Sequence, residues 1–122
     1  MLLLSVKTPA ADFEDYSGSE LYMRFCASCH GETGAGDGPV SESFTVVVPA
    51  LTLLARRHGG EFPYDRLHEI IDGRAVVVVH GTRYMPVWGY EFWVEQGANS
   101  EAEIDTAEMV NRLVNYLASI QQ

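Results

Sequence analysis

The chain has 122 residues, 47% of them hydrophobic and 20% charged, a composition that fits one globular domain with a modest core. Seventeen acidic residues against eight basic ones leave a formal charge of −9, which argues against nucleic acid as a partner, because phosphate binding needs a basic footprint. No apolar run approaches the roughly 20 residues that span a bilayer.

In chain order, MLLLSV at the N-terminus is apolar but short, and no basic residue precedes it. It is not an intact signal peptide, and residues 1–15 are read as an N-terminal arm or the remnant of a signal. Residues 16–122 are read as one domain. A helix is expected from Tyr16 to Ser28, opened by the capping box Ser17-x-x-Glu20. Gly31 to Pro39, GETGAGDGP, is a glycine-rich loop. It lacks the lysine of a phosphate-binding loop and follows no strand. A short helix is expected within Ala50–Arg57. Another runs from Pro63 to Ile71, with Gly73 as its stop.

Residues 74–90 read as loop, interrupted by the apolar run Val76–Val79, and Gly89–Gln96 as a further short helix. Asp105 and Glu108 offer a second capping signal. Around it Ile104, Ala107, Val110, Leu113, Val114, Leu117 and Ile120 keep one apolar stripe. The period-two alternation of strands is scarcely seen, so the expected class is all-α, with short helices and long loops. Irregular backbone is costly in a small domain unless something fills the middle and satisfies it. A large rigid cofactor would do that.

Both cysteines of the chain fall within CASCH, residues 26–30. Four readings compete. A redox dithiol normally accompanies a βαβ pattern, which is absent. A zinc site needs four ligands as a rule; Cys26, Cys29 and His30 could be joined by His58, His68 or His80, but the second pair that closes a zinc module is missing. Two unrelated buried thiols would leave the adjacent histidine unexplained. C-x-x-C-H is also the signature of covalent c-type haem attachment. There, two cysteines three apart at a helix end each form a thioether with a porphyrin vinyl, and the next residue sets an imidazole under the iron. This is the favoured reading.

Further motifs extend it: Gly18, Tyr22 and Cys26 as G-x-x-x-Y-x-x-x-C, then GAGDGP at 34–39, PAL at 49–51, MPVWG at 85–89 and L-x-x-Y at Leu113 and Tyr116. With these, the chain resembles the small bacterial class I cytochromes c. The resemblance implies a cytochrome c fold around one covalent haem c, with the first and last helices crossing near Gly18 and packing Tyr22 against Tyr116. It implies that Cys26 and Cys29 bind the haem, that His30 is the proximal iron ligand, and that the Pro49 carbonyl orients that imidazole. PAL departs from the commoner proline-proline-leucine version of the motif.

Four methionines could supply the sixth ligand. Met1 is terminal, and Met23 and Met109 read as core fillers. Met85 precedes a proline, which makes its neighbourhood extended and stiff, and sits in RYMPVWGYEFW with five aromatic residues. A thioether suits ferrous iron and raises the potential, and the resemblance places the distal methionine in a motif of this kind. His80, five residues upstream, is the rival. His58 and His68 read as surface or helix-face residues.

From Arg56 to Arg83 there are five arginines and four acids, while Tyr84 to Asn111 holds six acids and no base. Arginine pairs with carboxylates bidentately, so one of Arg56, Arg57, Arg74 or Arg83 is a candidate for a haem propionate. Arg74, Arg83 and Trp88 are the candidate pocket residues. A six-coordinate haem has no open position for substrate, so the expected function is one-electron transfer between redox proteins, not catalysis by the chain itself. A charge of −9 suits a partner with a basic docking patch. The alternatives are a haem-based gas sensor with a labile distal ligand, and an electron-transfer subunit or domain of a larger oxidoreductase. The resemblance implies the periplasm.

Overall fold

The computed structural model describes residues 13–75 and 83–122. The arm up to residue 12, the run Val76–Val79 and His80 lie outside the described residues. Within them the chain forms α1 (Gly18–Phe25), α2 (Ala27–His30), α3 (Leu54–Arg57), α4 (Tyr64–Asp72), α5 (Trp88–Glu95) and α6 (Ser100–Ser119). Two 3-10 turns, Ser41–Ser43 and Leu51–Leu53, interrupt the loops. No strand occurs among the described residues, so the molecule is all-α as expected.

α1 begins at Gly18, two residues after the expected Tyr16, with the expected capping box at its start. The Ser17 hydroxyl accepts from the Glu20 N–H at 3.1 Å, and the Glu20 carboxylate accepts from the Ser17 N–H at 2.7 Å, which satisfies two otherwise orphaned donors. The expected single helix to Ser28 is divided at Cys26, whose φ of −116° opens the spiral before α2 resumes it for one turn. Pro63 is the N-cap of α4 rather than its first helical residue, and Gly73 ends that helix in the left-handed conformation at φ 72°.

α6 differs from expectation at its start. Its N-cap is Asn99, whose side chain accepts from the Ala102 N–H at 2.9 Å, so Asp105 and Glu108 lie inside the helix. The buried stripe is Ala102, Thr106, Met109, Val110, Leu113, Val114 and Leu117, while Ile104 is 62% exposed and Ala107 is exposed too. Steps of three from Ile104 to Val110 drift off the face of a 3.6-residue helix; steps of four and three from Ala102 hold it. Met109 is a core residue as expected, but Met23 is 45% exposed, because it follows Leu21 and Tyr22 onto the outer face of α1.

α6 is the axis of the molecule. α1, α4 and α5 each pack on it, and Leu21, Tyr22, Leu67, Ile71 and Phe92 meet its buried stripe in one core. α1 crosses it at Gly18, where a Cβ would stand 2.3 Å from the Arg112 carbonyl oxygen and 2.8 Å from the Tyr116 Cβ. Beside the crossing, the rings of Tyr22 and Tyr116 lie 5.2 Å apart. Arg112 adds a tie that the sequence did not reveal: its guanidinium donates to the carbonyls of Phe13, Glu14 and Tyr16, holding the approach to α1.

Gly18→Ala forces backbone apart at a fixed crossing, so it costs about 2 kcal/mol and lowers the melting temperature by roughly 8 °C. A thermal scan of the variant that overlays the parent would show that the helices do not meet as closely as described.

Candidate functional site

The CASCH segment is held by the glycine loop that follows it. Gly36 N–H donates to the His30 carbonyl at 2.7 Å, Gly38 N–H to the Cys29 carbonyl at 3.1 Å and Val40 N–H to the Ser28 carbonyl at 2.9 Å. The loop thereby satisfies the last carbonyls of α2, which a one-turn helix leaves unpaired. Its far side binds the PAL segment, with the Leu51 N–H on the Gly34 carbonyl at 2.7 Å. Gly36 has φ 83°, and a Cβ there would lie 2.6 Å from the Val48 carbonyl oxygen. The glycines thus let the chain pass between two backbone segments. Tyr22, buried beneath, donates its hydroxyl to the Gly31 carbonyl at 2.6 Å.

That packing sets the geometry of His30. Its Nδ1 lies 3.1 Å from the Pro49 carbonyl oxygen, so Nδ1 carries the proton and Nε2 presents its lone pair. Among the described residues Nε2 has no hydrogen-bond partner. Burial lowers the affinity of the imidazole for a second proton, against which the bond to the Pro49 carbonyl works. Cys26 and Cys29 are free and partly buried. Burial pushes the Cys26 thiol up to about 12, and the neighbouring Cys29 adds to the shift. Among the described residues no group of three His, Cys, Asp or Glu side chains is placed to hold a metal ion. His58 and His68 point their Nδ1 atoms at the carbonyls of Leu54 and Tyr64, 2.7 and 2.8 Å away within their own helical segments. An imidazole with an open lone pair beside two free cysteines on one turn fits covalent haem.

Met85 is half-buried against the same core as Cys26. The two segments are joined by rings: Trp88 stacks on Phe92 at 5.6 Å and meets Phe25 at 5.4 Å, one residue before Cys26. Tyr84 reaches Phe44 at 6.4 Å. The ring contacts thus bring Trp88, three residues after Met85, to the CASCH side of the core.

Arg74 and Arg83 occupy unexpected places. Arg74 pairs with Asp72, Nε to Oδ1 at 2.9 Å and Nη2 to Oδ2 at 2.8 Å, and its Nη1 takes Glu103 of α6 at 2.7 Å. The pair lies over the buried first turn of α5, where a Cβ on Gly89 would meet the Asp72 Oδ1 at 2.4 Å; this is why MPVWG ends in glycine. Arg83 donates to three backbone carbonyls, those of Ile70, Met85 and Pro86. Both guanidinia already serve protein groups. Arg57 donates to the Ala50 carbonyl at 2.7 Å. The signal for the Arg74 pair was in DGR at 72–74; nothing in the sequence located the acceptors of Arg83.

A helical fold without strands among the described residues, with its first and last helices crossed and a thiol–imidazole turn held against a proline carbonyl, defines the class as a c-type cytochrome domain. Residues 14–100 match the family model described as cytochrome c oxidase, cbb3-type, subunit III, and the chain belongs to that family. No curated protein and no solved structure gives a match. Membership makes the cofactor covalently bound haem c and the role electron transfer with redox partners. Among the described residues no helix is long and apolar enough to cross a membrane.

The hydrogen bonds from Arg74 hold the Asp72 carboxyl below the ordinary carboxylate value of 3.8, with burial opposing them. Folded Asp72 therefore binds a proton less readily than unfolded Asp72, and the pair's contribution is complete above that value and lost as the pH falls below it. Asp72→Asn is expected to lower the melting temperature by about 4 °C at pH 7, with the gap to the parent closing below about pH 3.8. A gap that does not narrow at all as the pH falls below 3.8 would assign the loss to packing against Gly89 instead.

Proposed function

We propose that this chain is a monohaem one-electron carrier in which Cys26 and Cys29 hold the haem, His30 and Met85 are the axial ligands, and the Pro49 carbonyl orients His30. The observation that carries the reading is the 3.1 Å contact between the His30 Nδ1 and the Pro49 carbonyl oxygen, which leaves Nε2 as the one strong donor beside two thiols. Haem c supplies reversible one-electron exchange at its iron. The protein contributes the rest. Hydrogen bonding at Nδ1 keeps the imidazole neutral, oriented and more basic toward a metal. The Met85 thioether is soft and uncharged, which favours the reduced state, and the rings of Phe25, Trp88 and Phe92 exclude water beside it. Were His30 and Met85 both to bind the iron, no position on it would be left for a substrate.

The partner is read as a redox protein with a basic docking patch. Six acids and no base lie between Tyr84 and Asn111, and Glu91, Glu95, Glu101, Glu103 and Glu108 are exposed along α5 and α6. The family description supports a second reading, that the carrier works as a subunit or domain of a larger terminal oxidase. Either setting agrees with an extracytoplasmic, periplasmic location, where c-type haem is attached.

An absorption spectrum of the purified protein, oxidised and reduced, tests the ligand set. A c-type reduced spectrum, a weak far-red methionine–iron(III) band and no response to carbon monoxide are expected. Met85→Ala should abolish the far-red band and admit carbon monoxide. Carbon monoxide binding to the parent would replace the carrier reading with ligand sensing. Electron exchange with a basic partner should slow as ionic strength rises; a rate that is flat or rises with salt would remove the acidic face from docking.

A further inference from the structure

We propose that Arg83 is the residue that keeps Met85 in place, as a clamp between the end of α4 and the loop carrying the thioether. The proposal rests on the reading of Met85 as an iron ligand and adds the residue on which that ligation depends.

The loop before α5 has little to hold it. Among the described residues, the first backbone–backbone hydrogen bonds after position 83 are those of Tyr90 and Glu91 to the Val87 carbonyl. Pro86 has no N–H to offer. The carbonyls of Met85 and Pro86 therefore depend on another donor, and Arg83 is that donor: Nε reaches the Met85 oxygen at 2.7 Å and Nη2 the Pro86 oxygen at 3.1 Å. The same Nη2 reaches the Ile70 oxygen. Ile70 lies in the last turn of α4, where carbonyls lose their helical partners and the helix dipole favours a cation. The N–H of Arg74, four residues on, is turned to the Asp72 carboxylate at 3.1 Å and is not available to Ile70.

The seat for the guanidinium is made by Gly73. A Cβ there would stand 2.9 Å from the Arg83 Cζ, so the stop signal of α4 also leaves room for the clamp. Among the described residues Arg83 has no carboxylate partner. Its cation is spent on carbonyls from the two ends of one gap, and lysine, with a single rotating ammonium, cannot span them in the same way.

A clamp of this kind acts on the equilibrium between Met85 on the iron and Met85 withdrawn. An external ligand such as imidazole takes the sixth position only after the thioether has left, so its apparent affinity scales with the withdrawn fraction. The experiment is an imidazole titration of the ferric holoprotein, followed at the far-red band and in the Soret region, for the parent, Arg83→Gln, Arg83→Lys, Met85→Ala and the Arg83→Gln/Met85→Ala pair. Arg83→Gln is expected to weaken the far-red band and raise imidazole affinity about tenfold or more, with Arg83→Lys in between. In the Met85→Ala background the same Arg83 change should leave affinity unaltered, since no thioether remains to be held. If Arg83→Gln fails to yield holoprotein, Arg83→Lys carries the same test. Unchanged imidazole affinity in the single variants overturns the clamp, as does an equal rise with and without Met85. A parent protein lacking the far-red band removes Met85 from the iron, and so overturns the ligand reading itself rather than the clamp alone.

Discussion

Backbone passes against backbone at the places that matter here, and no side chain fits between. At Gly18 the first helix lies on the carbonyl of Arg112; at Gly36 the loop after CASCH lies on the carbonyl of Val48. The first contact joins the two ends of the chain. The second sets the distance between α2 and the PAL segment, and with it the bond from His30 to Pro49. A carbon atom at either place would move an element and not merely a rotamer, because the obstructing atom is main chain.

The site is thus assembled from two halves that are held differently. The CASCH half is hydrogen-bonded into a continuous web of main chain: Gly36, Gly38 and Val40 on α2, Leu51 on Gly34, and the Tyr22 hydroxyl on Gly31. The MPVWG half has rings and cations instead. Trp88 packs on Phe25 and Phe92, Arg74 ties Asp72 to Glu103 over Gly89, and Arg83 gathers the carbonyls of Met85 and Pro86. A CASCH side held by main chain and an MPVWG side tethered by side chains suit the proposed centre, whose soft ligand would be the weaker of the two. Both tethers start from the C-terminal end of α4, so that short helix positions the distal loop although it contributes no atom to the site itself.

Much of this was readable from residue order. The capping box at Ser17 and Glu20 and the stop at Gly73 rest on local spacing; the crossing at Gly18 with Tyr22 and Tyr116 and the grouping of CASCH with PAL were implied by the family resemblance that the motifs carry. The start of α6 was misplaced because Asp105 and Glu108 match a capping pattern, whereas the folded chain caps the helix at Asn99. Met23 was misread because the face of α1 that is buried depends on where α6 lies.

By itself the sequence determined the class, all-α with a thiol–imidazole turn, and most helix boundaries, because capping, periodicity and an unbroken C-x-x-C-H are written in consecutive residues. The arginines were decided by tertiary structure alone. A guanidinium reads as a carboxylate partner in any one-dimensional account, and Arg74 does find two carboxylates, one of them 29 residues away on α6. Arg83 finds none among the described residues; its acceptors are carbonyl oxygens, one of them on α4, 13 residues back. Every residue carries such an oxygen, so no residue type marks where the free ones will be, and only the folded chain brings them together.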